Sequence, residues 1–206
     1  MDELPQIAAE IARCTRCILH QGRTRAVPGE GSPRAEIMFI GEGPGYYEDQ
    51  EGRPFVGPAG RLLEECLRSI GLQRSDVFIT NVVKCRPPGN RDPLPDEIAA
   101  CNDFLDRQIA ALQPKLIVTL GRFSMAKFFP PGKSISQLHG TTVRYGNALC
   151  YALYHPAAAL RQERLKAVLE EDFRRIPEVL ERARRLATRE GAEARPREEP
   201  EQLSLF

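Results

Sequence analysis

The stretch Ile37-Met38-Phe39-Ile40-Gly41-Glu42-Gly43-Pro44-Gly45 decides the fold of this chain. Its apolar first half, bounded by turn residues, predicts a buried strand over 36–40, and a glycine-rich turn follows at once. In open α/β folds, ligands bind at the carboxyl edge of the sheet, where such turns lie. The stretch therefore predicts a ligand site with one carboxylate, that of Glu42, and several backbone N–H groups.

The rest of the chain repeats the pattern of a buried strand followed by a helix. Further strands are predicted at 77–83, 115–121 and 149–153, the last as part of a hairpin around Gly146-Asn147. Alternating strands and helices predict an α/β fold, a three-layer α/β/α sandwich with a central four-stranded parallel sheet. The carboxyl edge of that sheet would bring together three polar residues that are far apart in sequence, Glu42, Asn81 and His155.

Length and composition predict one folded domain with a short tail. The chain has 206 residues, of which 42% are hydrophobic and 28% charged. We expect the domain to cover residues 1–186, with a helix over 164–186 interrupted near Pro177, and a disordered tail over 187–206, where apolar residues become rare. The net charge of +1 excludes a protein that attracts nucleic acid over its whole surface, so DNA binding would depend on local patches.

The N-terminus lacks the basic and apolar regions of a signal peptide, and no stretch is apolar enough to span a membrane. We therefore expect a cytoplasmic protein that is not bound to membranes. In that reducing compartment the six cysteines are not expected to form disulfides.

The spacing of the cysteines separates them into two groups. Cys14 and Cys17 form a CxxC pair, and Cys85 and Cys101 make four thiolates possible. Zinc and an iron–sulfur cluster both accept this set, although Cys101 also fits the apolar stripe of its helix. Two further cysteines lie on apolar stripes and are predicted to be core residues: Cys66 and Cys150.

The polar residues at the predicted sheet edge each have an ordinary structural interpretation. A carboxamide such as Asn81 inside a β-branched run must find partners or cost about 1–3 kcal/mol. It is therefore paired to a backbone edge or directed at a ligand, and the residues alone favour the former. A histidine before a proline, as in His155-Pro156, is more often a capping or core residue, and a loop glutamate such as Glu42 is normally solvated.

Several motifs in one order resemble the bacterial and archaeal type-4 uracil-DNA glycosylases, the iron–sulfur group of the uracil-DNA glycosylase superfamily. The resemblance covers residues 1 to about 185. The matching segments are Cys14-Thr15-Arg16-Cys17, Gly41–Gly45 with Glu48-Asp49, Gly52–Gly57, Thr80–Pro88, Cys101 and His155-Pro156.

The resemblance implies a monofunctional, hydrolytic uracil-DNA glycosylase acting in base excision repair on single- and double-stranded DNA. It makes Cys14, Cys17, Cys85 and Cys101 the ligands of a [4Fe-4S] cluster. The protein would localise to the nucleoid and act as a monomer. Two alternatives are an iron–sulfur DNA-binding module without catalysis and a relative that acts on other deaminated or mismatched bases.

The resemblance also implies a role for each residue of a flipped-base pocket. The ring of Phe55 would stack on uracil, and the amide of Asn81 would read its edge, which overturns the structural interpretation of that residue. The catalytic pair would be His155, donating to uracil O2, and Glu42, acting on the attacking water. The remaining uracil contacts would be Gly41, Gly43 and Glu48, the last of which would exclude the thymine methyl.

DNA contacts are expected at two places. Relatives insert an apolar wedge after the His-Pro pair, which makes Leu160 or Arg161 the candidate, and Arg86 is expected to contact DNA. Near the cysteines, a basic set could bind phosphates around a cluster that braces this surface; it consists of Arg13, Arg16, Arg23, Arg25, Lys84, Arg86 and Arg91.

The last five residues, Gln202-Leu203-Ser204-Leu205-Phe206, are similar to the pentapeptide by which bacterial proteins bind the replication sliding clamp. Gln202, Leu203, Leu205 and Phe206 would be the docking residues. Apolar side chains at the end of a tail suit a peptide that docks in an apolar groove.

Overall fold

A computed structural model describes residues 3–193, with side chains to residue 187. One sheet of six strands, in the order β1-β3-β2-β4-β6-β5, forms the centre of the protein. The strands are β1 (Glu30–Gly31), β2 (Ile37–Gly41), β3 (Phe78–Asn81), β4 (Leu116–Leu120), β5 (Thr142–Tyr145) and β6 (Ala148–Leu153). Neighbours among β3, β2, β4 and β6 run parallel, so the predicted four-stranded parallel centre is present.

The prediction that the sheet has only four strands is wrong, because an antiparallel strand is added at each edge. β1 has only two residues and no apolar pattern, and it forms through its pairing with β3. At the other edge, the predicted hairpin contributes both of its arms, with Tyr145 paired to Ala148 across the Gly146-Asn147 turn. The sheet is therefore mixed.

The two faces of the sheet are both covered, as the apolar runs of its parallel strands require. Along β2, Met38 and Ile40 point into one hydrophobic core, while Ile37 and Phe39 point into the other. This alternation follows from the two-residue period of a strand. The predicted three-layer arrangement is confirmed.

Helices on the first face are α1 (Glu3–Arg13), α2 (Leu19–Gly22), α5 (Pro95–Leu112), α6 (Arg122–Phe128) and α7 (Ile135–Leu138). Helices on the second face are α4 (Pro58–Ser69), α8 (Pro156–Ala159), α9 (Glu163–Arg174) and α10 (Ile176–Glu193). One more short helix, α3 (Tyr46–Glu51), lies between the glycine turn and α4. Within the described residues, no helix has both the length and the apolar composition needed to cross a membrane.

The C-terminal helical region differs from the prediction in its end point. The chain breaks between α9 and α10, and Pro177 is the second residue of α10, where its missing N–H has no partner to lose. The interruption near Pro177 is thus confirmed. α10 then continues to Glu193, so the prediction of a tail without secondary structure from residue 187 is wrong for 187–193. The clamp-like residues 202–206 lie outside the described part of the chain.

Candidate active site at the carboxyl edge of the sheet

A cavity of about 500 Å³ opens at the carboxyl edge of the parallel strands. Its walls include Glu42, Asn81 and His155, which follow or end β2, β3 and β6. The predicted convergence of these three residues is therefore present in the structure. The walls also include further predicted site residues: Gly43, Glu48, Phe55 and Arg161.

The glycine turn is held tightly against the end of β3. Val82 N–H donates to Gly41 O at 3.0 Å, and Val83 N–H donates to Glu42 O at 3.1 Å. A Cβ at Gly41 would lie 2.6 Å from the Phe55 ring, and one at Gly43 would lie 2.7 Å from Val83 Cγ2. The two glycines are required by this close approach of backbone, turn and ring.

Phe55 presents its ring to the cavity from an unusual backbone conformation. Its φ of +52° is in the left-handed region, which costs a residue with a Cβ about 1 kcal/mol or more. Arg74 holds this conformation by donating from Nη1 to Phe55 O at 2.9 Å. The ring stacks on the His155 imidazole, with centroids 5.5 Å apart and planes 27° from parallel.

Asn81 is only 1% exposed, yet its Oδ1 accepts no hydrogen bond from the described residues. A buried polar atom without a partner costs about 1–3 kcal/mol. The purely structural interpretation of this residue required a backbone partner for the amide. Asn81 lines the cavity, and no such partner is present for its Oδ1 among the described residues.

A buried lysine, Lys84, fixes the backbone of Asn81 from behind. Its Nζ donates to Asn81 O at 2.7 Å, Thr80 Oγ1 at 2.6 Å and Gln108 Oε1 at 2.7 Å. Burial lowers the pKa of Lys84 to about 7. The prediction that this residue contacts DNA phosphates is wrong, since its side chain is 1% exposed. A lysine in the sequence suggests a surface cation. Its role in holding the backbone of Asn81 becomes visible only when the fold packs Gln108 against it.

His155 is held as a neutral, oriented imidazole. Ala157 N–H donates to its Nδ1 at 3.1 Å, so Nδ1 is an acceptor and the ring proton belongs on Nε2. Burial is the main cause that lowers the pKa of His155 to about 4; Glu48 opposes this shift and Arg161 contributes to it. The capping interpretation and the catalytic one are compatible, because the cap uses one ring nitrogen and leaves the other as a donor.

Glu42 is half-buried beside an ion pair that sequence reasoning did not include. Burial and the neighbouring Asp92 raise the pKa of Glu42, and Arg122 lowers it. Asp92 and Arg122 form an ion pair with each other, and both residues line the cavity. Arg122 follows Gly121 at the end of β4, so the edge rule that selected Glu42 could also have selected it.

Glu48 forms part of the cavity wall and supports the backbone around it. Its carboxylate accepts N–H bonds from Gly45 at 3.1 Å, Val56 at 3.0 Å and Gly57 at 2.9 Å. These bonds join the glycine turn to the segment that carries Phe55. Exclusion of the thymine methyl by Glu48 stays a prediction, now for a side chain whose position is fixed.

The expected DNA-contacting residues lie around the cavity mouth. Leu160 is 49% exposed just after α8, and its neighbour Arg161 lines the cavity. Arg86 lies over the Tyr46 ring, 5.1 Å from its centroid, and donates to Asn90 Oδ1 at 2.7 Å. Arg91 is bound to the buried Glu97 at 2.6 Å.

The four cysteines of the predicted ligand set surround one small second cavity. Cys66 and Cys150 are buried in the two hydrophobic cores, as predicted. Among the described residues, no three His, Cys, Asp or Glu side chains are close enough together to hold a single metal ion.

N–H groups point at the sulfurs of this set. Arg23 Nη1 donates to Cys85 Sγ at 3.1 Å, and Lys84 N–H donates to Cys101 Sγ at 3.3 Å. Such bonds favour the thiolate that metal binding requires, while burial raises the pKa of the Cys85 and Cys101 thiols. The donors fit thiolates at Cys85 and Cys101, as ligation of a cluster would require, and Arg23 reaches this site from the basic segment before β1.

Comparisons with known proteins agree with these features. The sequence profile of the Uracil DNA glycosylase superfamily matches residues 28–177. The type-4 uracil-DNA glycosylase of Sulfurisphaera tokodaii is 52% identical over 188 residues, which is 87% of this chain and 86% of that protein. The type-4 enzyme of Thermotoga maritima is 45% identical over 195 residues, covering 92% and 98%. A type-5 uracil-DNA glycosylase of Pyrobaculum aerophilum is 27% identical over 186 residues, covering 76% and 82%. The chain therefore belongs to the uracil DNA glycosylase superfamily and, within it, to the type-4 uracil-DNA glycosylases.

Proposed function

We propose that this protein removes uracil from DNA by hydrolysing the N-glycosidic bond, which leaves an abasic site for base excision repair. The observation that carries the proposal is the buried side chain of Asn81, whose Oδ1 has no partner among the described residues, in a cavity that Phe55 also lines. A flipped uracil offers a flat face for the ring, and its O4 and N3–H match the donor and the acceptor of an amide. Cytosine reverses that pattern of donor and acceptor.

His155 would stabilise the leaving base. As the C1′–N1 bond breaks, its electron pair moves onto uracil and negative charge develops at O2. A neutral imidazole whose Nδ1 is already an acceptor can donate its Nε2–H to that oxygen. The pKa of about 4 keeps His155 neutral at physiological pH, so the ring acts as a hydrogen-bond donor without carrying charge of its own.

Glu42 would act on the other side of the breaking bond. Its carboxylate can orient a water toward C1′ and accept a proton from it as the C1′–O bond forms, and its charge favours the developing positive sugar. The ionised form is required for both tasks. Burial and Asp92 raise the pKa of Glu42 and Arg122 lowers it, so burial and this ion pair together determine the lower pH limit of its activity.

For the second cavity we propose an iron–sulfur cluster of the [4Fe-4S] type, held by Cys14, Cys17, Cys85 and Cys101. The support is the gathering of these four sulfurs around one cavity, the N–H donors directed at them, and the resemblance to the iron–sulfur group of this superfamily. When bound, the cluster would supply covalent links between three parts of the chain. As its ligands, the four cysteines would join the end of α1, the loop after β3 and α5.

DNA would enter across the cavity mouth, with Leu160 or Arg161 filling the gap that the flipped base leaves in the stack. The exposure of Leu160 and the position of Arg161 in the wall support this assignment. We expect the protein to act as a monomer on single- and double-stranded DNA, in the cytoplasm at the nucleoid.

The decisive experiment measures base release from single-stranded and duplex oligonucleotides containing uracil, thymine, hypoxanthine or xanthine. Wild type should release uracil and leave an abasic site, and Asn81→Ala should be strongly impaired. DNA binding without release of any base would instead identify a non-catalytic module. Preferential release of hypoxanthine or thymine would identify a relative with a different substrate.

Residues 202–206 are similar to the clamp-binding pentapeptide, and we propose that they dock this enzyme on the replication sliding clamp. The test compares the binding of the tail peptide to the clamp with that of Leu205→Ala and Phe206→Ala peptides. Both substitutions should weaken binding about tenfold or more, since each removes an apolar anchor. Equal binding by all three peptides would refute the interaction.

A further inference from the structure

Two tyrosines beside the cavity mouth have no role in the mechanism above. Tyr46 and Tyr47 begin α3 directly after Gly45, which lines the cavity, and their side chains are 53% and 54% exposed. The two rings contact each other edge to face, with centroids 5.5 Å apart. Two adjacent exposed aromatic side chains form a contiguous apolar surface, the kind of feature that marks binding sites.

These rings are held in place by the surrounding structure. Arg86 lies over Tyr46, and Asn90 holds the Arg86 guanidinium through the 2.7 Å bond to its Nε. The backbone below is fixed by Glu48, which accepts the N–H of Gly45 and of Gly57. A Cβ at Gly57 would lie 3.0 Å from the Tyr47 ring, so a side chain at this position would press against the ring. The surface formed by Tyr46, Tyr47 and Arg86 is thus organised without a ligand.

We propose that the surface of Tyr46, Tyr47 and Arg86 stacks an unpaired base adjacent to the flipped uracil in the same DNA strand; this inference rests on the proposed function. Aromatic faces and arginine guanidinium planes bind unpaired bases regardless of sequence. The surface is continuous with the uracil cavity through Gly45 and Asn90, and the positive charge of Arg86 complements the phosphate that joins neighbouring nucleotides. A stacked neighbour would hold the strand open while uracil occupies its pocket.

The test uses single-stranded oligonucleotides that contain 2′-fluoro-2′-deoxyuridine, an analogue that resists hydrolysis. One probe has normal bases on both sides, and two others have a tetrahydrofuran abasic unit immediately 5′ or 3′ of the analogue. Kd is measured by fluorescence anisotropy at several salt concentrations for wild type, Tyr46→Ala, Tyr46→Phe and Tyr145→Ala. Tyr145 is the matched control, since it is an exposed tyrosine at the end of β5. It pairs with the first residue of β6 and so lies at the amino ends of the parallel strands, away from the cavity.

For wild type, removal of one neighbouring base should weaken binding by about 5- to 150-fold, the range for one base stacked on an aromatic ring. On the probe with normal bases, Tyr46→Ala should bind more weakly than wild type by the same factor. On the abasic probe that wild type binds more weakly, Tyr46→Ala and wild type should have the same Kd. Tyr46→Phe and Tyr145→Ala should bind like wild type. The slope of log Kd against log salt should be unchanged in Tyr46→Ala, because stacking releases no counterions.

Equal weakening of all probes by Tyr46→Ala, or no weakening of any, would overturn the inference. A reduced salt slope in Tyr46→Ala would also overturn it by indicating an electrostatic role. Release of uracil from an unmodified oligonucleotide, measured in parallel for wild type, tests the proposed function separately. If wild type releases uracil but Tyr46→Ala changes Kd by the same factor on every probe, the stacking surface is refuted and the proposed function is not.

Discussion

At the scale of single residues, Asn81 combines a stability cost with a proposed function. Its Oδ1 is buried without a partner among the described residues, so Asn81→Ala should leave the free energy of unfolding unchanged or raise it by about 1 kcal/mol. Uracil release should fall about 30- to 150-fold, the value of two hydrogen bonds at the base edge. Thermal denaturation and single-turnover kinetics measure the two effects. A variant that loses stability and activity together would show that the amide is structural.

A second residue-scale prediction concerns the acid side of the pH–rate profile. His155 and Glu42 both lose their active form as pH falls, and the higher of the two pKa values determines where the rate declines. The pKa of Glu42 is raised and that of His155 is about 4, so Glu42 should control this limb. Asp92→Asn should move the limb to lower pH, and Arg122→Gln should move it to higher pH, each by a few tenths of a unit.

The measurement is kcat/KM for uracil release between pH 4 and 8 in both variants and wild type. The opposite directions serve as internal controls, because general damage to the cavity would lower the plateau without moving the limb. Shifts in the same direction would remove Glu42 as the titrating group.

At the scale of secondary-structure elements, Glu48 joins three backbone segments. Glu48→Ala would leave the N–H groups of Gly45, Val56 and Gly57 without their acceptor, which should lower the free energy of unfolding by about 1–3 kcal/mol. Glu48→Gln should cost less, since it keeps one acceptor oxygen. Glu51→Ala, at an exposed position of the same helix, is the control and should change stability little.

The same variants test the predicted exclusion of thymine. If the fixed Glu48 side chain blocks the C5 methyl group, Glu48→Ala should release thymine from T-containing oligonucleotides at a detectable rate. Loss of stability without any thymine release would limit Glu48 to its structural role.

At the scale of the whole molecule, the cysteine site joins parts of the chain that are distant in sequence. Cys17→Ala should abolish iron and sulfide binding and lower the melting temperature and DNA affinity, with a smaller effect on the single-turnover rate. The reason is that the site links α1, the loop after β3 and α5, while none of its four cysteines lines the cavity. Full DNA affinity and stability in Cys17→Ala would refute this proposal.

Cys66→Ala is the matched control for the cysteine site. The thiol is buried and lies in the opposite core, on α4. This variant should keep its iron and lose only the about 1 kcal/mol expected for a small core deletion.

The sequence by itself determined the parallel centre of the sheet, the three layers and the meeting of Glu42, Asn81 and His155 at one edge. Apolar runs that end in turns carry this information locally, and parallel topology aligns their carboxyl ends. It also placed Cys66 and Cys150 on apolar stripes as core residues, whereas Cys101 lies on such a stripe too and was assigned to the ligand set by the resemblance.

Only the tertiary structure decided which polar groups are paired. Contacts between segments distant in sequence determine the burial of Lys84 and the Asp92–Arg122 pair, and they leave Asn81 Oδ1 without a partner among the described residues. The short edge strand β1 likewise exists only through its pairing with β3, since two residues carry no periodicity of their own. Periodicity predicts which face of an element is buried, whereas hydrogen-bond partners and pKa values depend on which side chains the fold brings into contact.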